Sequence, residues 1–166
     1  MLADFFARSI RLESFEIGDS TFSLDSLQET LRTLPPTIQE LRIHNLPGGW
    51  QELDDSVLEV LATSGLCLTL RNLTIERGSK ISDDAILQFV TARMLEFGTP
   101  VLQRVEIHFD RKVILDVVPS LQPFFDTGLI VSLDYSPPAP KGLSPWDGLE
   151  DNPDSSVWAR RPRNYW

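Results

Sequence analysis

Apolar and polar positions alternate within one short phrase that recurs along the chain. Leu12-x-x-Phe15-x-Ile17, Ile38-x-x-Leu41-x-Ile43, Leu70-x-x-Leu73-x-Ile75 and Leu102-x-x-Val105-x-Ile107 are four copies of it. In a fifth, Val131 and Leu133 fill the last two slots and Gly128 stands in the first. Counted at the middle residue, the steps are 26, 32, 32 and 26 residues. Self-similarity at a period of roughly 20–50 residues marks stacked repeat units. Each phrase has the period of two of a half-buried strand, as in Phe15-Glu16-Ile17 and Leu73-Thr74-Ile75.

Helical periodicity fills the intervals. Leu24, Leu27, Leu31 and Leu34 recur at spacings of three and four, as do Leu53, Val57, Leu58 and Leu61. Ile86, Phe89, Val90, Arg93 and Met94 form a third stripe, with Arg93 its odd member. The third helix has the clearest start. Ser82 is a good N-cap, Asp83 and Asp84 sit at the positive end of the helix dipole, and Ile81 and Ile86 are spaced for a hydrophobic staple. Gly65 and Gly98 follow the second and third helices, where a left-handed C-cap favours glycine. Pro119 suits a first helical turn and Pro123 interrupts a longer one, which predicts a short, distorted helix over roughly 119–126. Strand, crossover helix and parallel strand, repeated, predict an α/β stack. A short parallel sheet lines its inner face and helices line its outer face.

The stretch Leu70-Arg-Asn-Leu73-Thr-Ile75-Glu-Arg-Gly78-Ser-Lys-Ile81-Ser82-Asp83-Asp84-Ala85-Ile86 resembles a leucine-rich repeat of the cysteine-containing class. In that class a strand phrase leads to an Ile-Ser/Thr-Asp helix start; Gly78 stands near the place where it often has Cys or Asn. Further on, Pro119-Ser-Leu-Gln-Pro123, Val131-Ser-Leu133, Ser136-Pro-Pro138 and Ser144-Pro-Trp146 are similar to the C-terminal substrate-receptor part of fungal F-box-like proteins. The resemblance covers roughly residues 11–146. It implies a leucine-rich-repeat solenoid that recognises substrates for ubiquitin ligation. Ten residues precede the first strand, too few for a three-helix F-box, so direct binding of the cullin-ligase adaptor is not expected from this stretch.

Composition divides the chain into three parts. Residues 1–10, with Leu2, Phe5, Phe6 and Ile10, read either as the last turns of a preceding helix or as a cap helix of their own. Residues 11–135 hold the repeats. Residues 136–166 hold six of the twelve prolines and three of the four tryptophans, which reads as an extended, flexible tail. The alternative is a tail that docks on the stack through Trp146 and Trp158, whose rings are costly to leave in water. A net charge of −9 argues against a nucleic-acid partner, because phosphate binding needs a basic face. No apolar run approaches the roughly 18 residues of a membrane span. The start of the chain is a poor secretion signal, and a single cysteine, Cys67, makes no internal disulfide. These features suit the cytoplasm or nucleus.

Candidate chemistry lies on the outward slots of the strands. Ser14, Glu16, Glu40, Arg42, Asn72, Thr74, Arg104, Glu106 and Ser132 occupy them, with His44, Glu76, His108 and Asp134 one slot further on. In stacked order Arg42 falls between Glu16 and Thr74, and Arg104 falls near Glu106. Two readings fit: a mixed-charge recognition patch, with Glu16, Arg42, His44, Thr74, Glu76, Arg104, Glu106 and His108 as its contact residues, or solvated strands carrying compatible neighbours. His44 and His108 would lie about 10 Å apart on either side of Glu76, too far for one zinc ion with ligands at about 2.0–2.2 Å unless the side chains converge. Cys67 lacks a local basic partner and reads as a core residue. Pro47-Gly48-Gly49 is a turn, with Trp50 beside it. No phosphate-loop, HExxH or GxSxG pattern occurs. The expected role is protein–protein recognition without catalysis or cofactor. A stand-alone repeat scaffold or regulator unrelated to ubiquitin is the alternative, and a hydrolytic or metal-dependent enzyme comes third.

Overall fold

The computed structural model describes residues 5, 6, 8, 9, 11–19, 23–45, 53–63, 65–78, 80–95 and 101–136. Five strands and four helices alternate strictly: β1 (Ser14–Asp19), α1 (Leu24–Thr33), β2 (Glu40–Asn45), α2 (Asp55–Ala62), β3 (Asn72–Glu76), α3 (Asp83–Leu95), β4 (Arg104–Phe109), α4 (Val118–Phe125) and β5 (Ile130–Tyr135). The strands form one parallel sheet in the order β1-β2-β3-β4-β5, so each crossover returns to the next position in the sheet.

Alternation decides which side chains the sheet buries. Phe15, Leu41, Leu73, Val105 and Val131 are aligned across the five strands, and so are Ile17, Ile43, Ile75, Ile107 and Leu133. In β2, β3 and β4 these residues have no exposure, whereas Val131 and Leu133 at the β5 edge are only partly buried. Helix residues Leu27, Leu31, Val57, Leu58, Leu61, Ile86, Phe89, Val90 and Leu121 complete the core. At the other end Phe6 is buried and meets the Phe15 ring edge-on at 5.1 Å between centroids.

The strand entries share one junction. The carbonyl of Glu13 accepts from Gln39 N and Glu40 N, that of Gln39 from Arg71 N and Asn72 N, and that of Arg71 from Gln103 N and Arg104 N, at 2.7–3.0 Å. Gln103 O accepts from Ile130 N at 2.9 Å. Each junction satisfies the backbone donors that begin a strand on the carbonyl that precedes the neighbouring one.

Several local expectations are met and others are corrected. Ser82 accepts from Ala85 N at 3.1 Å as the N-cap of α3, and its own N–H and hydroxyl donate to Asp55 at the start of α2. Gly65 has φ of +99°, in the left-handed region. The last helix spans Val118–Phe125, one residue earlier than the pattern predicts, with Pro123 inside it. Arg93 belongs to the buried stripe: at 5% exposure, its Nη2 donates to Leu66 O and Cys67 O at 3.0 and 3.2 Å. Cys67 sits in a turn ahead of β3 with φ of +45°, at 1% exposure, and burial pushes its thiol pKa up. Gly78 is buried, and a Cβ there would lie 3.0 Å from Ile81 Cδ1. Gly98, the Pro47-Gly48-Gly49 turn, Trp50, Trp146 and Trp158 lie outside the described residues.

Candidate functional site

The sheet face opposite the helices carries three aligned rows. Ser14, Glu40, Asn72, Arg104 and Ile130 form the first; Glu16, Arg42, Thr74, Glu106 and Ser132 the second; Gly18, His44, Glu76, His108 and Asp134 the third. Seven of the eight contact residues expected from sequence therefore fall in the second and third rows, and Arg104 falls in the first. Arg42 stands between Glu16 and Thr74, and His44 and His108 flank Glu76.

The third row is the most ordered in its pairing. His44 Nδ1 lies 2.8 Å from Glu76 Oε2. A carboxylate only accepts, so a hydrogen bond across this contact requires the proton on Nδ1. His44 Nε2 is shielded from solvent and stands 3.0 Å from Glu16 Oε1, but without the alignment of a hydrogen bond. His108 repeats the arrangement more loosely, with Nδ1 3.3 Å from Asp134 Oδ2 and Nε2 3.5 Å from Glu106 Oε1. Each imidazole thus sits between two carboxylates from neighbouring or own strands. The hydrogen bond from His44 holds the Glu76 carboxyl below its usual pKa.

The arginines pair within their own strands. Arg42 Nε lies 3.4 Å from Glu40 and Arg104 Nε 3.9 Å from Glu106, so the adjacent Glu16 is left to His44. Both guanidinium side chains remain about half exposed, at 50% and 55%. Such contacts orient the side chains and leave their outer faces wet.

Chemically, the rows offer alternating acids, imidazoles, guanidiniums and hydroxyls over five strands. The partners of both imidazoles among the described residues are carboxylates. No group of three or more His, Cys, Asp or Glu among the described residues is placed to hold a metal ion. A shallow groove opens on the helix side, between α2 and α3, lined by Leu58, Ala62, Ala85 and Phe89 with Glu59, Thr63, Gln88 and Ala92 at its margins. No described helix is long and apolar enough to cross a membrane.

A second polar cluster, at the C-terminal ends of the strands, is not an expectation of the sequence. Asp83, expected from sequence at the positive end of the helix dipole, is 3% exposed. Its Oδ1 accepts from Arg111 Nη2 at 2.7 Å and Tyr135 OH at 2.8 Å; its Oδ2 accepts from Arg111 Nη1, Ile114 N and Leu115 N at 2.8–3.3 Å. The Arg111 guanidinium lies over the Phe109 ring at 4.5 Å, and the Phe109 and Tyr135 rings stack at 4.6 Å. Burial alone would raise the Asp83 carboxyl, but these donors outweigh it and hold the pKa at about 2. Burial and the Asp83 charge push the Tyr135 phenol up. Phe109 and Tyr135 share one register position across β4 and β5.

Comparison with known proteins returns no matching family model, no matching curated protein and no matching solved structure.

Proposed function

We propose that this chain is a short leucine-rich-repeat stack whose open sheet face recognises another protein and performs no reaction on it. The observation that carries the reading is the register, in which five consecutive strands align their outward residues into three rows. A sheet built this way offers a broad surface of side chains, suited to binding across several repeats. The rows expose both charge signs, so they select a partner by complementary pattern. On the same reading, and resting on the sequence resemblance, the chain is the substrate-receptor part of an F-box-type ubiquitin ligase component, working in the cytoplasm or nucleus.

The test is comparative capture. Tagged 1–166 and its Arg42→Glu/Arg104→Glu double variant are used to recover proteins from cells of the source organism, and mass spectrometry identifies them. A protein held by the parent and lost by the variant supports face recognition. An unchanged set of proteins refutes it. Recovery of a protein that becomes ubiquitinated and accumulates when the chain is depleted supports the receptor role; a face-dependent partner whose turnover is indifferent to the chain refutes that role alone.

A further inference from the structure

The loop that follows β4 exposes aliphatic side chains while its main chain is pinned. Val113, Ile114 and Leu115 are 52%, 83% and 44% exposed, and Val118 at the start of α4 is 50% exposed. Slack backbone does not explain this. Ile114 N and Leu115 N donate to the buried Asp83 carboxylate at 3.0 and 2.8 Å, and Arg111, earlier in the same loop, is anchored to Ile81 O and Asp83. Single exposed apolar residues are ordinary on protein surfaces; three in succession on a pinned loop point to a contact site.

We propose that the cover is this chain's own C-terminal segment, residues 137–166, with Trp146 as the ring that seats on Val113, Ile114 and Leu115. The path of the chain is the first argument. Ser136 N donates to Phe109 O at 3.0 Å, and Tyr135 stacks on Phe109, so the segment leaves the sheet beside the first residues of this loop. Reach is the second. Trp146 lies ten residue steps beyond Ser136, which span up to roughly 33–36 Å when extended. Composition is the third. Trp146, Trp158 and Trp166 are the large apolar groups of a segment poor in aliphatics, and an aromatic ring of this kind buries about 150–250 Å². Trp146 is the nearest of them, so its docking closes the shortest loop. Pro137, Pro138, Pro140 and Pro145 restrict the chain ahead of it and lower the entropy lost on docking. Tethering makes the contact unimolecular, at an effective concentration on the order of millimolar. The site uses the loops at the strand ends and leaves the open sheet face free, so it stands apart from the proposed recognition surface.

The experiment uses the full chain with Trp50, Trp158 and Trp166 replaced by Phe, so that Trp146 is the only indole. The expected result is blue-shifted emission and acrylamide quenching several-fold weaker than that of free tryptophanamide, unchanged on dilution. Ile114→Ser, at an exposed position, should raise quenching to the free value without moving the thermal transition. Solvent-like quenching in the parent overturns the proposal, as does shielding that survives the combined Val113→Ser/Ile114→Ser change. Shielding that disappears on dilution also overturns it, because the cover is then a second copy. Hydrogen exchange of the otherwise unmodified chain supplies an independent reading: Trp146→Ala should speed exchange over residues 110–118, and an unchanged rate there counts against docking.

Discussion

Asp83 keeps its charge at 3% exposure because five donors from Arg111, Ile114, Leu115 and Tyr135 converge on it. Removing the carboxylate leaves the Arg111 guanidinium to the Ile81 and Lys112 carbonyls without a counter-charge and takes the acceptor from the Ile114 and Leu115 N–H groups. Breaking a buried pair from one side costs about 3–5 kcal/mol, and Asp83→Ala should lower unfolding stability by that order in urea titration. The pH dependence follows from the depressed pKa. The contribution is fully present above the usual carboxylate value of 3.8 and is lost as pH falls through about 2. That shift corresponds to about 2–3 kcal/mol. Acid unfolding of the parent should therefore steepen between roughly pH 4 and pH 2, and Asp83→Ala should flatten this limb.

Elements were legible where near neighbours in the chain decide their fate. Strand faces follow from period-two alternation, so the aligned pairs Leu41, Leu73, Val105 and Ile43, Ile75, Ile107 could be placed from their phrases alone. Helix stripes and the Ser82 cap are equally local. The Asp83 cluster is not local: Arg111 and Tyr135 lie 28 and 52 residues away. The positions of the sheet-face residues were legible for the same reason as the strands, but their pairings were not. Whether Glu16 meets Arg42 or His44 depends on rotamers, and the structure gives it to His44. Leu73 has no exposure and lies at the centre of the sheet. Leu73→Asp buries an unpaired charge there and should abolish the cooperative thermal transition; a transition near that of the parent would contradict the register. Gly78→Ala presses a methyl group on Ile81 and should destabilise by about 1–3 kcal/mol in the same measurement.

Across the whole molecule, one face of the sheet packs on the helices and the other carries the rows proposed for recognition. The helix-facing residues of β2, β3 and β4 are dry, whereas Arg42 and Arg104 on the other face are half exposed, with their ion pairs among the described residues made within their own strands. Arg42→Glu/Arg104→Glu should therefore change stability by no more than about 1 kcal/mol by chemical denaturation. A larger loss would make those residues part of the scaffold.

The strand-entry junction makes chain length adjustable in whole units. Glu13, Gln39 and Arg71 each present one carbonyl to the two donors that open the next strand. Excising residues 40–71 joins Gln39 to Asn72, and the Glu13 carbonyl then meets Asn72 in the setting that Glu40 left. The shortened chain keeps Asp83 with Arg111 and Tyr135, but it forfeits the Asp55 contact to Ser82, the Gln28 contact to Ser56, the Thr69 bonds to Pro36 and Ile38, and the Leu66 and Cys67 carbonyls that accept from Arg93. Excising 72–103 makes an equally clean joint but takes Asp83 with it. Loss of the β2 unit thus spares the Asp83 cluster, whereas loss of the β3 unit removes it. Growth or shrinkage of this protein by recombination would be expected to happen at its front.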